Sequence, residues 1–204
     1  MQTAKLKRAL RKYAVSSFVA HEDIEPGKEW LEEIEAALFS MDALAALVTP
    51  HFVESKWADQ EVGIAIGRNI LVIPVMRETT PHGFIGKFQA VNGNGKTVAE
   101  VARAIFDTLL SSTQTRSRLL TCLVDAAILE QSPLVTVARL GVLESVSDIP
   151  ESFLERLGDG AARSSVFQQS PMLSARLEGF LKSRGVKPTP VHLPEPETDD
   201  QIPF

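Results

Sequence analysis

The sequence predicts an α/β protein, a parallel sheet with helices on both faces, followed by a helical extension. Three observations carry that expectation. The first half of the 204 residues alternates short, continuous apolar runs with amphipathic segments, the pattern of strands buried on both faces and joined by crossover helices. Turn-forming residues separate the runs: His21 to Gly27, Pro50, and Asn92-Gly-Asn-Gly95. Beyond Ser112 the apolar runs cease and only helical spacing remains.

Helix comes first, from Thr3 to about Tyr13, with Leu6, Ala9, Leu10 and Tyr13 on its apolar side and Lys5, Lys7, Arg8, Arg11 and Lys12 on a solvated face. Val15 to Ala20 reads as a strand, and His21 to Gly27 as a polar loop that Pro26-Gly27 keeps from continuing it. From Lys28 to Met41, Trp30, Ile34, Ala37, Leu38 and Met41 recur at helical spacing, with Glu32, Glu33 and Glu35 mostly opposite. Leu44 to Thr49, closed by Pro50, and Ile70 to Val75 are expected as buried parallel strands. Pro74 has no amide to donate, so it is expected at the carboxyl end of its strand or on an edge. Between these strands Ser55 is positioned to cap a helix to about Arg68, with Val62, Ala65, Ile66 and Asn69 on one side and Trp57, Glu61 and Ile64 on another. Phe88 to Val91 is a short last strand, and a helix from Thr97 to about Ser111 closes the unit. Residues 116 to 130 then form an apolar helical face, and Pro133, Pro150 and Pro171 divide the remainder into short helices. From Val186 onward, five of the twelve prolines fall in nineteen residues beside Glu195, Glu197, Asp199 and Asp200. Such a segment buries too little apolar surface to offset its ordering entropy, and disorder is expected.

Composition narrows the function. With 44% apolar and 23% charged residues and one cysteine, Cys122, the chain is not a disulfide scaffold, a zinc finger or a CxxC redox protein, and a reducing cytoplasmic setting is expected. No apolar run approaches the roughly 18 residues of a membrane span, and the N-terminus lacks a secretory signal. The formal charge of −5 argues against a dedicated nucleic-acid binder. That charge is uneven: the first twelve positions hold five basic residues and no acid, whereas residues 21 to 61 hold eleven acids against Lys28 and Lys56.

In an open α/β sheet, ligands bind beyond the carboxyl ends of the strands, which directs attention to the loops His21–Lys28, Pro50–Ser55 and Met76–Ile85. Each carries one histidine (His21, His51, His82), a set that would suit a metal if the side chains converged; no HxH or HxxxH spacing supports this, and a metal-dependent hydrolase is the lesser alternative. The sharper signal is Ser55-Lys-Trp57-Ala-Asp-Gln-Glu61. With Ser55 as cap, Trp57 and Glu61 share one helix face near its start, so an indole flanks a carboxylate at the ligand-binding edge of the sheet. Taken alone, the pair also fits a glutamate favoured by the helix dipole and a tryptophan packed on a loop. Gly63 and Gly67 form a GxxxG spacing that would permit close helix contact.

Together these residues resemble the toll/interleukin-1 receptor (TIR) domain family, especially its bacterial members, over about Leu6 to Leu110. The resemblance rests on Phe18-Val-Ala-His-Glu-Asp23, on Asp23-Ile-Glu-Pro-Gly27 in the place of the family's BB loop, and on the Trp30–Met41 helix. It extends through Leu47-Val-Thr-Pro-His-Phe52, the Ser55-x-Trp57-x-x-x-Glu61 spacing, and Ile73-Pro-Val75. It implies a flavodoxin-like parallel sheet. It also implies, as in many TIR domains, cleavage of NAD⁺ with Glu61 as the catalytic glutamate and Trp57, Ser55, Phe18 and Asp23 as substrate neighbours. NAD⁺ is then substrate, and neither a cofactor nor a metal is called for. The expected setting is bacterial defence or signalling, with self-association or other TIR domains as partners and neither nucleic acid nor membrane. The competing reading is a non-catalytic TIR–TIR scaffold, since fold alone does not decide function.

Against the family pattern, Val15–Ala20 corresponds to the second strand, and the first, central strand has no counterpart. Its absence would open a gap of one strand spacing, about 4.8 Å on each side, with unpaired backbone groups facing it. The expectation is a start codon assigned too far downstream and poor stability of the chain as written. The expected organisation is a TIR domain lacking its first strand over 1–112, a helical region over 113–185 and a disordered tail over 186–204.

Overall fold

A computed structural model describes residues 3–19, 23 and 29–187. The expected loop between Ala20 and Lys28, Asp23 apart, and the tail from 188 lie outside the described residues. The chain divides into two compact units between Leu120 and Thr121.

The first unit is the α/β one. Helix α1 (Thr3–Leu10) runs into a 3₁₀ turn (Arg11–Tyr13), and Ala14 ends it in the left-handed conformation (φ 55°). Helix α2 spans Trp30–Ser40 and strand β1 Ala43–Val48; α3 (Pro50–Glu54) and α4 (Lys56–Gly67) lead to β2 (Leu71–Met76). A 3₁₀ turn (Gly83–Lys87), β3 (Val91–Asn92) and α5 (Val98–Ser111) complete it. The sheet is parallel in the order β1-β2-β3, with Ala43 opposite Leu71 and Val75 opposite Val91.

Local chemistry sets the helix ends. Thr97 and Glu100 close a reciprocal capping box on α5. After α4, Asn69 adopts a left-handed conformation (φ 54°), while Asn69 N–H bonds Ile66 O (3.0 Å) and Ile70 N–H bonds Ala65 O (2.8 Å). That is a Schellman closure with asparagine in the place glycine usually takes. It turns the chain directly into β2.

One face of the sheet packs Val48 and Val72 against Val62 and Ala65 of α4 and Ile85 of the 3₁₀ turn. The alternate residues of β2, Ile73 and Val75, are just as buried and point to the opposite face. α5 packs on β2 and β3 and α1 packs on α5, with Tyr13 stacked on Phe106 at 4.6 Å. Helices α2 and α4 thus belong to one layer, α1 and α5 to the other.

Three expectations about strands are corrected. Residues 15–19 of the expected Val15–Ala20 strand enter no ladder. Its two end amides bond elsewhere: Val15 N–H bonds Leu10 O (3.3 Å) at the end of α1, and Val19 N–H bonds the Asp23 carboxylate (2.6 Å). Pro74 is not at an edge; it lies within β2, the middle strand, opposite Ala46. The parity of the ladder explains its tolerance. Arg77 N–H bonds Val48 O on the β1 side, so the odd residues of β2 face β1 and Pro74 faces β3. On that side pairing begins only at Val75, and no ladder bond is lost. The last strand is also shorter than Phe88–Val91, because Phe88 instead joins the Ile85 cluster. Gly63 and Gly67 are exposed with open space where a Cβ would stand, so no described element packs closely on them.

The second unit is helical. It contains the end of α6 (Arg116–Leu129), α7 (Pro133–Glu144), α8 (Glu151–Ala162), the single turn α9 (Ser165–Gln168) and α10 (Pro171–Ser183). Pro133 and Pro171 occupy the first helical turn and Pro150 the N-cap, where a missing amide costs nothing. Leu123, Leu140, Leu157, Phe167 and Leu173 are buried at its centre. Arg176 grips both oxygens of Glu144 (2.8 and 2.6 Å), tying α10 to α7. Val186 is buried and donates to Leu181 O (3.0 Å).

Candidate functional site

The site is built on the carboxyl end of β1. Thr49 caps α3 by accepting from Phe52 N–H (3.2 Å), Pro50 starts that turn, and Ser55 then caps α4 by accepting from Ala58 N–H (3.3 Å). Two successive caps bring the start of α4 to the sheet edge within seven residues of β1 (49–55). Ala58, Val62 and Ala65 face the core, which leaves Trp57 and Glu61 side by side along the flank, about 6 Å apart along the axis.

Glu61 is half-buried, and among the described residues it has neither a cation nor a hydrogen-bond donor. Burial alone therefore acts on it and raises its pKa above the ordinary 4.5. A carboxylate without a partner, held beside apolar surface, is unfavourable for folding and suited to stabilising positive charge in a ligand. The sign of the linkage follows: a raised folded-state pKa favours the fold below the ordinary value and is lost as pH rises through the folded one. Glu61→Gln should consequently raise the melting temperature at neutral pH, and the gain should disappear below about pH 4.5. Melting curves of the two proteins across pH check this.

Trp57 is 45% exposed and meets Trp30 edge to face, with ring centroids 5.7 Å apart and planes at 87°. The helical spacing assigned Trp30 to the buried face of α2. At 48% exposure it stands instead at the first residue of that helix, past the rim of the core, and completes a two-indole wall with Trp57. The signal for this is positional, since a first-turn residue projects beyond the neighbours that bury Ile34 and Leu38.

The remaining candidates, Asp23 and Phe18, have their own surroundings. Asp23 pairs with Lys7 of α1 and accepts from Val19 N–H (2.6 Å), and these bonds hold its pKa below the ordinary 3.8. Phe18 is 42% exposed on the 15–19 segment. Among the described residues no hydrogen bond, ion pair or ring contact joins Phe18 or Asp23 to Trp57 or Glu61. Of the three loop histidines, His51 and His82 are exposed, and His21 lies outside the described residues. Among the described residues no group of three or more His, Cys, Asp or Glu is arranged to hold a metal, and no helix is long and apolar enough to cross a membrane.

Two indoles and an unpaired carboxylate thus stand at the carboxyl edge of a parallel sheet, the edge at which doubly wound folds bind ligands. The TIR domain family matches residues 1–110. The chain belongs to that family, and its first unit is a flavodoxin-like α/β fold. Neither a search of curated proteins nor one of solved structures found a match.

Proposed function

We propose that this TIR protein cleaves NAD⁺ at the nicotinamide–ribose bond, with Glu61 as its catalytic carboxylate. The observation that carries the reading is Glu61 itself, desolvated and without a partner among the described residues, one helical turn from Trp57. The reaction asks little of the protein. Glycosidases ordinarily need a second acid to protonate the leaving oxygen, whereas nicotinamide in NAD⁺ is already cationic and departs neutral with the electron pair of the broken C–N bond. Positive charge then spreads over C1′ and the ring oxygen of ribose, where a half-buried carboxylate beside the indoles stabilises it. Water adds to C1′, releases a proton and yields ADP-ribose; capture by an adenine nitrogen would give a cyclic product. Trp57 and Trp30 offer the planar heterocycle a stacking surface, and Ser55 holds the helix start that carries both Trp57 and Glu61. Family membership supports a signalling or defence setting in which TIR domains associate with one another.

Incubating the concentrated protein with NAD⁺ should release nicotinamide. The reactive form is the carboxylate, and burial raises its pKa, so the acid limb of the rate profile should lie above 4.5. Intact NAD⁺ under conditions in which the protein assembles would overturn the proposal in favour of a non-catalytic TIR–TIR scaffold.

A further inference from the structure

The helix that bears Trp30 is finished by a residue of another helix. An α-helix leaves its last four carbonyls without an amide partner of its own. In α2, Ala37 O is met locally, by Met41 N–H (3.0 Å) and by the Ser40 hydroxyl (3.3 Å). The next two carbonyls are met by Arg68, whose Nη1 donates to Leu38 O and whose Nη2 donates to Phe39 O (2.8 Å). The same guanidinium lies 5.5 Å from the centre of the Phe39 ring. Helix α2 has acids in its first turn, Glu32 and Glu33, and no base in its last, so Arg68 also supplies the cation that the negative end of the helix dipole favours. Arg68 is itself held in place: it caps the end of α4, its N–H bonds Ile64 O (2.9 Å), and the left-handed Asn69 follows it.

We propose that Arg68 is the positioning residue of the two-indole wall, holding α2 against α4 so that Trp30 stays edge-on to Trp57. The two helices meet at both ends: Trp30 on Trp57 at their starts, and Leu38 and Phe39 on Arg68 at their finishes. Along α4 these contacts are about 16 Å apart at 1.5 Å per residue, so together they fix the angle between the helices as well as their separation. The core grips α2 at only two residues, Ile34 and Leu38, one turn apart on a single stripe. A helix held along so short a stripe pivots when one end is released. Arginine suits the task because its planar fork serves two successive carbonyls at once, which the single nitrogen of lysine does less well. Glu61 and Trp57 stand on α4 and keep their places without Arg68, so its loss displaces Trp30 alone. This role is geometric, and only its effect on turnover rests on the NAD⁺ reaction proposed for the site.

The chain has two tryptophans, Trp30 and Trp57, so the indole bands of its near-ultraviolet circular dichroism belong to this pair alone. Arg68→Gln in the full chain should keep the far-ultraviolet spectrum and a cooperative melting transition and lose most of the indole signal. Arg68→Lys, which keeps the charge and serves as the variant that folds should Arg68→Gln not, should lose a smaller part of it. With NAD⁺, Arg68→Gln should raise KM about tenfold and leave kcat within about twofold, the pattern of binding lost without loss of the reacting group. Trp30→Phe should raise KM similarly, and the double variant no further than either, since residues that act through one another are not additive. A wild-type indole signal in either Arg68 variant, or KM effects of Arg68→Gln and Trp30→Phe that multiply, would overturn the assignment. A wild type that leaves NAD⁺ intact would overturn the proposed reaction instead, and the indole signal would still decide on Arg68.

Discussion

Glu61→Gln should keep the fold and stop nicotinamide release, with a rate loss of about 10³-fold or more, the scale on which a single preorganised electrostatic group acts. The amide is nearly isosteric with the acid and removes only the charge. No described residue relies on Glu61 for a hydrogen bond or ion pair, so nothing else unravels with it. Single-turnover assays beside melting curves check both halves of the expectation. A variant that is thermally more stable at neutral pH and inactive would show one group acting against folding and for catalysis, a trade-off common at active sites. Retained release in Glu61→Gln would move the chemistry to another residue.

The second large effect is on stability. Phe106 is fully buried on α5, stacks on Tyr13 with planes at 20°, and carries the Arg103 guanidinium 5.5 Å above its ring. Phe106→Ala should cost about 3–5 kcal/mol, a large share of the roughly 5–15 kcal/mol that keeps a domain folded. The melting transition of the first unit should fall by about 10–20 °C. The loss falls on the contact that seats α1, so amide exchange should rise there first. Phe84→Ser, at a position 72% exposed, is the control and should change little. Equal effects from the two substitutions would contradict this account of the core.

The parts of the fold legible in the sequence were those written in a single period. Leu44–Thr49 and Ile70–Val75 announce buried strands because both of their faces are apolar, and each lies within one residue of the observed β1 and β2. Ser55 and Thr97 announce helix starts because a side-chain oxygen there meets an orphan amide. Val15–Ala20 misled because strand propensity is a property of the side chains, whereas a strand is a property of two backbones; the amides of Val15 and Val19 are taken by Leu10 and Asp23. The candidate site divides along the same line. Ser55, Trp57 and Glu61 are linked by helical spacing and came together, as local spacing requires. Trp30 joins them across 27 residues of chain (Trp30 to Trp57) through a tertiary contact that no spacing records. The pairing of Asp23 with Lys7, sixteen residues earlier, is likewise a tertiary contact that no spacing records.

Pro74 also acts as a stop for its neighbour. With Val75 opposite Val91, lengthening β3 toward Phe88 would ask Pro74 for the amide it lacks. The zipper between β2 and β3 therefore closes only at its far end, and the chain before Val91 stays out of the sheet. That released segment is what folds into the turn bearing Ile85 and Phe88 over the Val48–Val62 cluster. A single imino acid thus decides how much of the crossover becomes sheet and how much becomes lining. Pro74→Val would let the sheet spread at the expense of the packing that supports α4, the helix on which Trp57 and Glu61 stand.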